Sequence, residues 1–536
     1  MAYSSINYTL GLITILPMAL AFFLPLFNKF VKNRIIHNIY FIASTILILA
    51  MTIHIFIATS MEGSIVYCFG GWPPPLGIIY VSDPLSSALA LVVGVVMFIV
   101  SIYTIWYSRH MENYILLYTL FIALEAGLLG VLFTGDIFNI YVMLEVIGLS
   151  SYGLVAFYSF RAKAIVASIR YALVGALFTT LFFLSIVVGY GIAGTLNIAD
   201  LALKIRDLDL HSSLFGTMSG GYYGPTAYLL FMFLAGIWTA LLLSAIYPNH
   251  FWLPDAHSEA PSPVSAVLSG LAVNTGVYLA IRLTYTVFGK DSIFYPQTMI
   301  INQIMMYLGL LSALYGTIMI GFEDDVKRIL AYSTILNIGY IYMGVGLGTT
   351  TGLAAGLYHL VNHAIGKALA FTAIGVLVRE FRTRNIIALE GAGRYYPMIL
   401  FSLTIAFLHL IGLPPFGGFF SKLLLYQAFV EKQMYIMALM VIVTSVLSSY
   451  GYLRILEHLW HPPVPKQLIH PRSLAIAVNI TMIIFIAAIL SIGFLSPFIT
   501  EYLRNVGVYT TNGYMEYIDT VYKALHSLRP DNIITP

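Results

Sequence analysis

Gly412-Leu-Pro-Pro-Phe-Gly-Gly418 interrupts an otherwise apolar run that extends from residue 396 to residue 430. Two prolines and three glycines within seven residues do not sustain a regular helix, so the run divides there. On either side it is apolar enough for lipid, whose hydrocarbon core takes roughly 20 apolar residues per helix. The rest of the chain has the same character. Of its 536 residues 60% are hydrophobic and 9% are charged, with a mean hydropathy of +0.89. A soluble globule carries about a quarter charged residues on its wet surface. This surface must therefore face lipid, and the chain is an integral membrane protein. Its runs are long and do not alternate, which selects an all-α bundle over a barrel built of strands of about 10 alternating residues.

Splitting the apolar runs at charged or Pro/Gly-rich breaks predicts about fourteen transmembrane spans: 6–27, 36–60, 81–107, 113–134, 136–158, 165–194, 225–247, 261–287, 300–321, 329–348, 351–378, 396–430, 433–457 and 474–499. Residues 62–80 alternate and turn like an exposed hairpin, and 197–224 hold a short amphipathic piece and a glycine-rich loop. The chain then divides into residues 1–110 (three helices and the hairpin), 111–290, 291–460, and 461–536 (the last helix and a short tail).

A second break, Pro248 through Pro254, follows the seventh span five spans before the first. Five is odd, so equivalent helices of such a repeat run in opposite directions. Paired broken helices in corresponding positions mark an inverted-repeat transporter. The predicted fold is thus two inverted five-helix repeats, helices 4–8 and 9–13, with discontinuous helices 7 and 12. Broken backbone at that depth is tolerated only where protein covers it or a wet cavity receives it.

Sixteen of the 26 basic residues fall in odd-numbered connections, from Lys29, Lys32 and Arg34 through Arg161, Lys327 and Arg384 to Arg472, against five in even ones, among them Arg282. Positive charge is retained on the cytoplasmic side, so this asymmetry places the odd connections inside a cytoplasmic membrane and both termini outside.

Glu125, Glu145, Lys367 and Lys422 lie well inside spans. Each costs roughly 2.5–3.5 kcal/mol at a helix centre, so such groups persist where they pair or meet water. His359, His363 and Lys367 recur every four residues and form one polar stripe on the eleventh helix. With bound water in the gaps, that spacing suits a proton relay; the plainer reading is a hydrogen-bonded seam between helices. His54 and His409 read as satisfied core histidines. Gly352 and Gly356 read as close-packing positions, and Gly189 through Gly194 follows a membrane helix, not a strand, so it is no dinucleotide loop.

The lone cysteine, Cys68, excludes an internal disulfide and a cysteine-ligated cluster, so no cofactor belongs to this chain and any iron-sulfur or nickel-iron centre sits in a partner. The net charge of +3 is dispersed, which argues against nucleic acid. No P-loop, triad or metal motif stands out, so the chain is no stand-alone enzyme.

Several segments together resemble the antiporter-like family shared by Mrp-type cation/proton antiporters, the proton-pumping arm of respiratory complex I, and membrane-bound hydrogenases with their sulfur-reducing relatives. They are Gly135-Asp-Ile-Phe-Asn-Ile-Tyr-Val-Met-Leu-Glu145, Trp252-Leu-Pro-Asp255 with Pro261-Ser-Pro-Val-Ser-Ala266, Asp325-Val-Lys-Arg-Ile-Leu-Ala-Tyr-Ser-Thr334, His359-Leu-Val-Asn-His-Ala-Ile-Gly-Lys367 and Gly412 through Lys422. The Gly70 through Gly77 hairpin is most similar to the Mrp and hydrogenase branch. The resemblance implies a half-channel in each repeat, joined by a polar axis at mid-membrane. It makes Glu145 the family's glutamate on helix five, Lys367 the central lysine and Lys422 the lysine beside broken helix twelve. The tail is too short for the long lateral helix of the largest members.

The family's lysine on helix seven falls here at Leu243, and a second frequent lysine, on helix eight, falls at Asn274. Glu145 has therefore lost its usual partner, with His250 or Arg170 as candidate substitutes. Two functions follow as expectations. In the first, the chain is a subunit of a hydrogenase, sulfur-reductase or Mrp complex that helps move protons, or sodium against protons, mainly through its second half-channel. In the second it is a transport-impaired structural subunit that spaces and seals the complex while a paralogue carries ions. Either way its partners are other antiporter-like and small membrane subunits, hydrophilic redox subunits and the bilayer.

Overall fold

A computed structural model describes residues 6–72, 75–206, 225–462 and 474–527. Part of the hairpin tip, the glycine-rich part of 197–224, Lys466 and Arg472 lie outside the described residues. Thirteen described helices are long and apolar enough to cross a membrane. Pro397–Ile411, bent by 111° against Ile387–Tyr395 before it, brings the number to 14. Numbered as spans in chain order, those that matter below are span 3 (Pro84–Ser108), span 4 (Tyr114–Phe133), span 5 (Ile137–Val155), span 6 (Ala162–Ala193) and span 7 (Pro225–Leu243). They continue with span 8 (Ser262–Val287), span 9 (Tyr295–Phe322), span 10 (Val326–Gly346), span 11 (Thr350–Phe381) and span 13 (Tyr435–Trp460). Span 12 is two helices of 15 residues each, Pro397–Ile411 and Gly417–Glu431, divided at the motif that the sequence singled out.

Spans 8 and 10 are enclosed by protein on every side and span 11 almost so. Helices without a lipid face are free to carry polar side chains if those find partners, and the functional stripe lies on one of them. Glycine lets these central helices approach. A Cβ on Gly309 or Gly339 would lie 2.6 or 2.5 Å from the other residue's carbonyl oxygen, so spans 9 and 10 meet backbone to backbone. Gly352 and Gly356 do the same between spans 11 and 10, where an added Cβ would sit 2.8 Å from Gly344 O and 2.9 Å from Ile341 O.

The two breaks share a local geometry. Span 7 ends into Ala245 at φ 51°, three residues before Pro248; the first half of span 12 ends at Gly412 at φ 86°, three residues before Pro415. A left-handed residue ends a helix by turning the chain away from its axis, and glycine does so without the steric cost that Ala245 bears.

One face of the bundle is closed by the chain itself. Strands β1 (Ile65–Cys68) and β2 (Ile79–Ser82) pair antiparallel, with Ile65 opposite Ser82. All four residues of β2 are buried, while Trp72, 64% exposed, and Leu76, 78% exposed, keep the turn beyond the strands at the surface. The tail forms two helices, Ser496–Asn512 and Tyr514–Ser527, that fold back onto this face. Tyr509 meets Ser64 at 2.9 Å, and Tyr514 and Tyr522 donate to Asp291 at 2.6 Å and Asp200 at 2.8 Å. Beneath them Arg282 is not a loop residue, as its place in an even connection implied. It is 3% exposed within span 8, ion-paired with Asp83 at 2.7 Å and covered by the ring of Tyr517. On the opposite face the connections after spans 3, 5, 7 and 11 and the start of span 10 contribute to a single cavity of 490 Å³, so the odd connections emerge together.

Candidate functional site

Lys422, on the second half of span 12, turns back to the end of the first half. Its Nζ donates to the carbonyl oxygens of Leu410 at 3.0 Å and Ile411 at 2.9 Å and to Ser445 Oγ at 2.8 Å. The last carbonyls of a helix lack intrahelical donors and carry the negative end of its dipole, so an ammonium ion belongs there. Breaking the helix thus creates the site that holds the charge. The ring of Tyr340, on span 10, lies 4.7 Å from the same Nζ.

One residue before Lys422, Ser421 Oγ contacts His359 Nδ1 at 3.0 Å. The other ring nitrogen, Nε2, meets Asn337 Oδ1 of span 10 at 3.0 Å. Asn337 Nδ2 donates to Ser333 O at 2.6 Å, which fixes its amide so that the oxygen faces the histidine. Nε2 is therefore the protonated nitrogen of neutral His359, and Nδ1 accepts from the Ser421 hydroxyl. When His359 is doubly protonated the same contact reverses: Nδ1 donates to Ser421 Oγ, and that hydroxyl turns to Gly418 O, 3.1 Å away. Both protonation states leave every polar atom of this cluster partnered.

Lys367, two turns along span 11, donates to Leu330 O at 2.8 Å and to Ser333 Oγ, which in turn bonds Tyr452 OH. His359 and Lys367 are thus linked through Asn337 and Ser333 on the neighbouring helix. His363, between them on the stripe, is fully buried and neither ring nitrogen has a hydrogen-bond partner among the described residues. It lies within electrostatic reach of Lys367, His359 and His257.

Sequence reasoning missed several members of this series. Asn337 and Ser421 are neutral and ordinary in a helix, so nothing marks them before the helices meet. His257, fully buried with both ring nitrogens unpartnered among the described residues, feels Lys327 and Lys367. Lys327, read only as a loop charge, is 3% exposed at the start of span 10 and donates to Ser258 O at 3.2 Å and Ala260 O at 2.5 Å. It also lines the 490 Å³ cavity. His409 bonds Asn362 O through Nε2 at 3.0 Å, while its Nδ1 has no partner. The polar series therefore extends from Lys422 across the centre to a cavity on the face of the odd connections.

The first half is built differently. Its broken helix end is capped by neutral groups: the Trp252 indole donates to Leu242 O at 3.2 Å and Tyr342 OH to Ala240 O at 3.3 Å. Leu243 is the last residue of span 7 and packs against the apolar core. Asn274 bonds back to Gly270 O at 2.6 Å, and its unpartnered oxygen faces a cavity of only 20 Å³ lined mainly by leucines and valines. Glu125 is fully buried in span 4 with neither oxygen bonded among the described residues. Glu145 is half-buried on span 5, and among the described residues no hydrogen bond or ion pair joins it to another side chain. Arg170 is bound instead to Asp255 at 2.8 Å, opposite Arg328 on the other carboxylate oxygen at 2.7 Å. His250 stacks on Tyr247, 5.4 Å between rings, and lies tilted against Tyr315 at 4.3 Å.

A model of the family described as NADH:quinone oxidoreductase/Mrp antiporter, TM, matches residues 134–448. NADH-quinone oxidoreductase subunit N of Desulforudis audaxviator (strain MP104C) is 32% identical over 403 residues, 75% of this chain and 76% of that protein. A Na(+)/H(+) antiporter subunit of Alkalihalophilus pseudofirmus is 28% identical over 448 residues, covering 83% of this chain and 86% of the relative. Among solved structures, the membrane-bound sulfane sulfur reductase, an archaeal respiratory membrane complex, contains a chain that superposes with a TM-score of 0.85 at 26% identity, covering 96% of this chain and all of that one. A chain of the Mrp complex from Dietzia sp. DQ12-45-1b shares the fold, with a TM-score of 0.84 at 22% identity over 96% of this chain and 99% of its own length.

Proposed function

We propose that this chain, which belongs to the NADH:quinone oxidoreductase/Mrp antiporter transmembrane family, conducts protons through its second half. It is an antiporter-like subunit of a multisubunit membrane complex of the Mrp and complex I type. The observation that carries the proposal is the pair of contacts at His359, which stay satisfied whether the ring is neutral or charged. A group with two acceptable protonation states between two lysines is a proton station. Protons enter from the 490 Å³ cavity by Lys327 and His257, pass Lys367 and His359, which are linked through Ser333 and Asn337 with His363 beside them, and reach Lys422 at the broken helix. The members of this series are ammonium, imidazole, amide and hydroxyl groups without a carboxylate, which suits protons over sodium ions.

Asymmetry of the positive charges supports odd connections on the cytoplasmic side and both termini outside. The first half, with neutral caps and no lysine at Leu243 or Asn274, supports packing against neighbouring subunits more than passage of ions. Its unpaired Glu145 then awaits a neighbour. Hydrophilic redox partners, where the parent complex has them, supply any iron-sulfur or nickel-iron centre.

The test is proton and sodium flux in liposomes holding the whole parent complex, wild type against Lys422→Ala at matched assembly. Loss of coupled proton flux is the expected result. Unchanged flux would overturn the proposal and leave the chain a spacer and seal.

A further inference from the structure

The 490 Å³ cavity is within the range of about 300–1,000 Å³ typical of small-ligand sites. Its lining brings together five cationic side chains, Arg161, Lys327, Arg379, Arg382 and Arg384, and one carboxylate, Glu259. The accounting of these charges is uneven. Arg384 is matched by Glu259 and Asp325, each at 3.0 Å, and Lys327 is spent on backbone carbonyls. Arg379 donates to the carbonyls of Trp106 and Tyr107. Among the described residues the Arg161 guanidinium is held against rings alone, 4.8 Å from Tyr158 and 5.5 Å from Phe160. Arg382 has neither a hydrogen bond nor an ion pair among the described residues. Three guanidinium groups thus converge on one cavity without a carboxylate bonded to any of them among the described residues.

We infer that this cavity binds a phosphate-bearing anion, the headgroup of an anionic phospholipid. Guanidinium groups match phosphate oxygens in charge and in forked geometry, and their weak hydration makes the exchange of water for phosphate favourable. The setting selects a lipid. The cavity opens at the ends of spans 3 and 11, where the chain leaves the apolar spans, and Phe160 beside it is 79% exposed. Basic pockets between spans on the cytoplasmic side are where anionic headgroups lodge. The cavity is also the entrance of the proposed proton path, with Lys327 common to both, while the three guanidinium groups belong to the anion site alone.

The test reconstitutes the full chain, in its parent complex, into phosphatidylcholine vesicles containing phosphatidylglycerol with a photoactivatable headgroup, and maps the label on peptides. Labelling of residues 107–111, 158–161 and 378–384 is the expected result, lowered roughly 5-fold by Arg161→Ala or Arg382→Ala, since a surface guanidinium contributes about that factor. Both residues are exposed, so neither change disturbs the core. Lys32→Ala, on the same face but outside the cavity, leaves the label unchanged. Inorganic phosphate that displaces the label supports phosphate recognition and moves the source from lipid to a soluble anion. Label that ignores both arginines, or a phosphatidylcholine probe that marks the same peptides equally, overturns the inference.

Discussion

His359 on span 11 gives its Nε2 proton to Oδ1 of Asn337 on span 10 at 3.0 Å, and that amide donates onward to Ser333 O. The polar stripe on span 11 is therefore wired through its neighbour. Asn337→Ala removes both bonds at once, and we expect proton flux through the complex to fall by roughly 10-fold, the effect of ~1.4 kcal/mol on the controlling step. His363→Ala, which breaks no hydrogen bond, should cost distinctly less. Equal losses in vesicle flux would instead assign the path to the stripe itself.

The two broken helix ends differ in what caps them, and the difference is measurable. Trp252→Phe deletes the indole donor to Leu242 O and should lower stability by about 1 kcal/mol, the usual worth of one hydrogen bond, without changing flux. Thermal unfolding of the purified complex gives the first quantity and vesicle flux the second. A drop in flux matching that of Lys422→Ala would show that the first half conducts as well.

Asp83 and Arg282 form an ion pair buried on both sides, with Arg282 also bonded to Tyr278 OH at 2.8 Å. Arg282→Met leaves a buried carboxylate alone and should destabilise by roughly 3–5 kcal/mol. Adding Asp83→Asn to it should recover much of that loss, since the amide retains the cap on Ser86 N. Because Tyr517 of the tail rests on Arg282, proteolysis of the tail is a second readout, and the single variant should be cut faster.

Asp136 caps span 5 by accepting from Asn139 N at 2.8 Å, and its burial raises the carboxyl from an ordinary 3.8 to about 6. The folded protein therefore holds this proton more tightly than the unfolded chain. Below about pH 4 both states are protonated and the carboxyl contributes its full stability; that contribution is lost as pH rises to about 6. Asp136→Asn keeps a capping oxygen and removes the titration. We expect the variant to be more stable than wild type at pH 7 by roughly 1–3 kcal/mol and the gap to close toward pH 4. A gap independent of pH would show that the carboxylate is not desolvated as described.

Much of the fold was legible because it is written in short stretches. A span needs about 20 apolar residues in a row, a break needs proline and glycine together, and a stripe needs side chains four apart. Each is a property of neighbours in the chain, so the number of spans, the division at Gly412 and the alignment of His359, His363 and Lys367 could be read directly. The burial of β2 was not legible for the same reason: alternation describes β1 and β2 locally but says nothing of the helices that bury β2.

What the sequence by itself determined is that this protein lives in lipid, as helices, with a few charges it must shelter. Where those charges are sheltered was decided by tertiary structure. Lys422 meets the carbonyls of Leu410 and Ile411 only because the chain breaks and doubles back, His359 finds Ser421 across 62 residues of sequence, and Arg170 takes Asp255 in place of Glu145. The physical reason is that insertion in a bilayer depends on local composition, whereas the energy of a buried charge depends on atoms within a few ångströms, brought there by helices distant in the chain.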